Sequence, residues 1–234
     1  MSHASPPRTP LAAWRPLAAE LGGLLVMGAL LFAAAGRLDW AQGWAFLALW
    51  GIAMALPDIA LARENPGLLL RRAVHREPPR RYERVLWACY LLLILALPVV
   101  AGLDVQRFHW SRLPAFSVHI GIPLILVGSV VSAWVRIENP HYESTMRIQR
   151  DMGHKVIYNG PYRIVRHPGY LATAVQIAGA PLVLCSAWAA IPAGGLVLVM
   201  ALRAFFEDRA LMAGLKGYAA YARQVPAMLV PGLW

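Results

Sequence analysis

Two stretches of this chain carry residue types that could do chemistry. The first, residues 136–170, reads Arg136-Ile137-Glu138-Asn139-Pro140-His141-Tyr142, then Met146-Arg147-Ile148-Gln149 and Gly153-His154-Lys155-Val156. It closes on Gly160-Pro161-Tyr162-Arg163-Ile164-Val165-Arg166-His167-Pro168-Gly169-Tyr170. Pro168 disfavours the α region for His167 and itself suits the first turn of a helix, so the sequence predicts His167 as a helix cap. Backbone N–H groups and the positive end of the helix dipole meet there, which suits an anionic group. The plain alternative is an interfacial anchor of Tyr, Arg and His. The second stretch is Arg203-Ala204-Phe205-Phe206-Glu207-Asp208. Arg203 and Glu207 share a helix face, and their order is the poorer one for a simple i,i+4 ion pair. Histidines 141, 154 and 167 form no close pair of metal-ligand spacing, so no metal is expected. No Gly-x-Gly-x-x-Gly occurs, so a Rossmann-type nucleotide site has no support.

The elements that hold these residues are apolar. The 234 residues are 59% hydrophobic and 15% charged, with mean hydropathy +0.51. Soluble domains carry about 25% charged residues, so the soluble class is excluded. Residues 40–57, 85–103 and 113–135 hold no charged residue, and 16–36 holds only Glu20. Each suits a membrane span of about 20 residues. The run 168–202 is too long for one span and is interrupted by Pro181, Pro192 and Gly194-Gly195; it reads as a helical hairpin turning near residues 186–190. Six spans result. The net charge of +10 belongs to the loops. With the N-terminus inside, nineteen of the 22 Lys and Arg residues lie on the cytoplasmic side and three outside, as the positive-inside rule requires. This basic excess therefore points to membrane flanks, and no nucleic-acid partner is expected. Arg8 and Arg15 ahead of the first apolar run also fit a signal peptide. Cys89 and Cys185 lie inside apolar runs, which leaves no disulfide framework or zinc cluster.

The motif Gly-Pro-Tyr-Arg-x-Val-Arg-His-Pro-x-Tyr is followed about thirty residues on by Arg-x-x-x-Glu-Asp-x-x-Leu, then by Tyr218-x-x-Tyr221 and Val225-Pro226. Over roughly residues 136–231 the chain resembles the isoprenylcysteine carboxyl methyltransferase family. The resemblance implies an all-α polytopic membrane bundle with a C-terminal helical hairpin and a cytoplasmic S-adenosylmethionine pocket. Hydropathy and charge divide the chain into four N-terminal spans (1–135) and a C-terminal region (136–234), which the resemblance makes the catalytic one, in an inner membrane or endomembrane with both termini cytoplasmic. Carried over, the cofactor pocket falls on Gln149, His154, Lys155, Val156, Ile157, Tyr162, His167, Pro168, Gly169, Tyr170 and Glu207. Arg203, Glu207 and Arg166 fall at the catalytic positions, with Arg203 on the acceptor side. Leu215-Lys216-Gly217-Tyr218 is one residue shorter than the family's pattern, and Asp208 stands where Glu is common.

The residue types suit that chemistry. Methyl transfer from a sulfonium depends mainly on positioning. A carboxylate acceptor needs only an arginine fork, while a thiol or amine needs a base such as Glu207 or His167. Tyr162 and Tyr170 offer faces to the cation. A lipophilic or small acceptor is expected. The rival enzyme is an NADPH-dependent sterol or enone reductase with a similar Arg-His-Pro motif, although position 169 here is Gly rather than Asn. A transporter or assembly factor is the non-enzymatic alternative.

Overall fold

The computed structural model describes residues 10–69, 81–142, 148–149 and 153–232. Part of the basic loop 62–84, the Met146-Arg147 pair, and Arg8 lie outside the described residues. Every regular element among the described residues is helical: α1 Pro10–Ala35, α2 Ala41–Glu64, α3 Arg81–Gly102, α4 Ser117–Glu138, α5 Pro168–Val183, α6 Ala190–Gly214 and the short α7 Tyr218–Gln224. Five of them (in α1, α2, α4, α6, and α3 extended to Phe108) are long and apolar enough to cross a membrane. The sixth apolar helix, α5, has 16 residues, roughly 24 Å of rise. Pro168 starts it and the turn at 184–189 ends it, so it is the short arm of the expected hairpin. Large apolar side chains such as Leu25, Leu92 and Val130 point outward. In water such a surface would aggregate, whereas in lipid it is the solvated face.

Small residues set how closely the helices approach. A Cβ at Gly128 would lie 2.6 Å from the Ala172 carbonyl oxygen, and one at Gly179 would lie 2.6 Å from that of Gly121. Backbones of α4 and α5 therefore touch along their length, as small residues permit between membrane helices. This contact fixes the start of α5, where His167 caps the helix and Pro168 occupies its first turn.

At the opposite end of the bundle a carboxylate holds the hairpin turn. α3 ends in a π-helical segment, Leu103–Phe108, which carries the fully buried Asp104. Asp104 accepts from Ser111 N and Oγ, each at 2.7 Å, and from Ser186 Oγ at 2.5 Å. Such a buried charge is tolerable because several donors satisfy it. It also accepts from Trp188 N at 3.4 Å, so it ties down the turn that reverses the chain between α5 and α6.

Candidate active site

The hairpin, the end of α4 and the C-terminal segment enclose a cavity of about 320 Å³, within the range of about 300–1,000 Å³ usual for small-molecule sites. From α6 come Met200, Arg203, Glu207 and Leu211; from α5, Gly169, Tyr170 and Thr173. The loop before α5 supplies His154, Lys155, Val156, Ile157, Tyr162, Arg166 and His167, and α7 adds Tyr218 and Tyr221. Nearly all the residues carried over from the motifs thus converge. Two do not line the cavity. Pro168 fixes the helix start behind it, and Gln149, only 1% exposed, sits one layer back. Gln149 donates from Nε2 to the His141 carbonyl at 2.8 Å and from its backbone N to His154 Nδ1 at 3.2 Å. His141 and His154 stack at 4.4 Å, so Gln149 positions the histidine wall.

Two polar centres organise the interior. In the first, Tyr170 donates its hydroxyl to Glu207 Oε2 at 2.7 Å, while the Arg203 guanidinium lies 4.6 Å from the Trp87 ring centre and 5.8 Å from that of Tyr170. Arg203 is 3% exposed, so a deeply placed cation lies near two aromatic rings, whose faces attract it. In the second centre Asp208 accepts from Arg166 Nε at 2.8 Å, His167 Nε2 at 3.1 Å and Tyr218 OH at 2.7 Å. Arg166 also donates from Nη1 to the Val225 and Pro226 carbonyls. The backbone N–H groups of Arg166 and His167 donate to Ala227 and Met228. Burial works against the Arg166 charge, and the Asp208 carboxylate more than offsets it, holding the guanidinium above its ordinary value. Burial, then the Asp208 charge, pushes the Tyr218 hydroxyl well up, so it remains a donor. Tyr162 is likewise raised by burial; its oxygen accepts from Asn139 Nδ2 at 2.7 Å.

Gly169 has a steric reason. A Cβ there would lie 2.9 Å from Tyr142 Cε2 and 3.3 Å from Val135 Cγ1, so no side chain fits while the Tyr142 ring occupies that place. Sequence reading missed Trp87 and Tyr90 of α3, which line the cavity from a helix that looks like a generic span. Their i,i+3 spacing puts both on one face, and that was the only available signal. Arg136, Asn139, Tyr142, Thr173 and Met200 were also not assigned. Among the described residues no group of three or more potential metal ligands occurs.

A family model described as phospholipid methyltransferase matches residues 116–215. Two rice proteins, from Oryza sativa subsp. indica and subsp. japonica, are each named a probable protein-S-isoprenylcysteine O-methyltransferase. Each is 26% identical over 95 residues, covering 40% of this chain and 47% of theirs. The chain spans about half the length of these curated relatives. The solved structure of the eukaryotic intramembrane Ras methyltransferase ICMT (isoprenylcysteine carboxyl methyltransferase) matches with TM-score 0.51, covering 93% of this chain and 77% of that one at 15% identity. Part of the chain is thus similar in sequence to proteins named as isoprenylcysteine methyltransferases, and its fold is similar to that of one of them. The resemblance carried by the paired motifs is borne out, as is the polytopic helical membrane fold. The reductase alternative gains no support from these matches.

Proposed function

We propose that the chain is an integral membrane methyltransferase that moves a methyl group from S-adenosylmethionine to a lipophilic or small acceptor. Prenylcysteine-like carboxylates are the first class to try, and thiols or amines the next. The observation that carries this reading is the convergence of Glu207, Tyr170 and Arg203 with His154–Ile157, Tyr162 and His167 on one cavity. The residues suit the cofactor: a carboxylate for its polar groups and aromatic faces for its cation. Bound there, S-adenosylmethionine would supply an electrophilic methyl group.

The chain's own residues orient the partners. Glu207, itself fixed by the Tyr170 hydroxyl, holds the cofactor. Arg203, one helical turn earlier, presents its planar fork to an acceptor carboxylate, which needs no base. For a thiol or amine acceptor, Glu207 is the carboxylate on the cavity wall that can take the proton. Arg166 acts as a positioning residue: with Asp208 and the carbonyls at 225 and 226 it secures His167 at the head of α5. The catalytic region is 136–234, and α3 of the N-terminal spans completes its wall with Trp87 and Tyr90. The cavity faces the cytoplasm, as do both termini, a placement supported by the basic excess on that side.

The deciding experiment is calorimetry on detergent-purified protein. S-adenosylmethionine or its demethylated product binds in the micromolar range and NADPH does not; NADPH binding in its place would return the reductase reading. Labelled S-adenosylmethionine offered with a panel of lipophilic acids, thiols and amines then identifies the acceptor.

A further inference from the structure

A groove of about 780 Å³ runs between α1 and α2 on the lipid face, and Arg37 is its one charged lining residue. Leu25, Ala29 and Ala33 of α1 and Trp44 and Ala48 of α2 form part of its walls. The three α1 residues recur every fourth position and so lie in one stripe along the helix. The alanines leave a trough beside the larger Leu25 and Trp44. Its floor is closed, because the Phe32 and Trp44 rings stand 4.5 Å apart and a Cβ at Gly28 would lie 3.0 Å from Leu47 Cδ1. On α1 the lining extends from Leu24 to Gly36, roughly 18 Å of rise. One leaflet holds about 15 Å of hydrocarbon, so the trough has the length of one acyl chain.

The mouth of the groove is cationic. It lies at the Asp104 end of the bundle, away from the methyl-transfer cavity. Arg107, exposed on the π-helical segment, brings Nη2 to 4.0 Å from where a Cβ on Gly36 would stand. Arg37 donates to Asp39 from Nε at 2.7 Å and from Nη2 at 2.5 Å, yet its side chain remains 51% exposed. Asp39 balances the Arg37 charge and directs its fork. No described acid is paired with Arg107, so the net positive charge at the mouth is its own. Trp44 donates its ring N–H to the Leu38 carbonyl at 2.8 Å, with an apolar body in the groove and a polar edge at the mouth, as tryptophans sit at a bilayer interface.

We propose that this groove binds one anionic phospholipid from the leaflet opposite the methyl-transfer cavity. One acyl chain fills the trough over Ala29 and Ala33, and the phosphodiester meets the guanidinium groups of Arg37 and Arg107. A zwitterionic head group adds an ammonium that Arg107 repels, so an anionic head is preferred. The bound lipid braces α1 against α2. The site is independent of the methyl-transfer reading, since neither arginine lines that cavity.

The test is native mass spectrometry and thermal melting of the full chain in detergent, with dioleoylphosphatidylglycerol and dioleoylphosphatidylcholine as the probes. Wild type retains one phosphatidylglycerol at least roughly fivefold more tightly than phosphatidylcholine, the contribution of one arginine at a lipid head group, and melts higher with it. Arg37→Gln/Arg107→Gln binds the two lipids alike. Ala29→Leu/Ala33→Leu fills the trough and weakens both. Melting without lipid checks the fold of each variant, and Arg107→Gln or Ala33→Leu alone replaces a double variant that melts below wild type. Equal retention of the two lipids by wild type overturns the proposal. So does a preference that survives in the arginine variant, or phosphatidylglycerol held undiminished by the trough variant. A dimer that the trough variant splits overturns it in favour of a second copy of the chain.

Discussion

At the scale of single residues, Glu207 and Arg203 are four apart on one helix and have separate settings: one accepts the Tyr170 hydroxyl, the other lies against Trp87. Replacing Glu207 with Gln removes a charged acceptor, a loss of about 1.5–3 kcal/mol, so cofactor affinity should fall at least tenfold by calorimetry. Arg203→Lys keeps the charge but loses the planar fork; turnover should drop while cofactor affinity holds. If the two merely formed a surface-type ion pair, both variants would lose under about 1 kcal/mol of stability and keep their turnover. Asp208 tests a different role. It gathers Arg166, His167 and Tyr218 on one carboxylate, and its side chain is 14% exposed. Asp208→Asn strands the arginine and should cost about 3 kcal/mol, read as a lower melting temperature in detergent together with weaker cofactor binding. Tyr218→Phe, which removes one donor, should cost about 1 kcal/mol.

At the scale of elements, the site depends on how α5 is seated. Its first turn carries His167, Gly169 and Tyr170, and its position is set by backbone contact with α4 at Gly121, Gly128 and Gly179. Gly128→Ala places a methyl group 2.6 Å from the Ala172 carbonyl oxygen, so the helices must separate. Overpacking of this kind costs about 1–3 kcal/mol. The variant should melt lower and bind cofactor more weakly, although residue 128 is not on the cavity wall; wild-type affinity in a destabilised Gly128→Ala would show that α5 is held by other contacts. The Asp104 cluster secures the far end of the same hairpin. Two polar centres at opposite ends of α5 and α6 therefore define the hairpin, and the glycine seam joins it to the bundle.

At the scale of the whole molecule, the proposed orientation rests on charge. With six spans and the N-terminus inside, as proposed, nineteen basic residues would flank one side and three the other, and short loops rich in Arg stay inside. Single-cysteine variants in a Cys89/Cys185-free background should therefore be labelled from the cytoplasmic side at positions 150 and 220, and from the outside at 187. Outside labelling at 150 or 220 would reject the arrangement. It would also separate the cavity from the compartment where a charged nucleotide cofactor is found.

The sequence by itself determined the membrane class, the helical hairpin and the two polar stretches whose residues meet at the cavity. These are local properties: lipid demands long uncharged helices, and Pro168, Pro181 and the 186–190 turn punctuate one apolar run. It also identified most of the cavity wall, because the two motifs are short and their residues lie on one loop and two helix faces. The tertiary structure decided the rest. Hydropathy cannot separate a lipid-facing side chain from a bundle-facing one, since both are apolar, so Trp87 and Tyr90 gave no sign that α3 faces the cavity. Arg136 and Asp58 are 78 positions apart, and Arg166 and Asp208 are 42 apart; no periodicity links residues at such distances. Nor could the sequence show that Gln149 stands behind the wall it was expected to form. Packing of α4 against α2 brought the first pair together and packing of α6 against α5 the second, and only that packing told a cavity-lining charge from one that holds the cavity in shape.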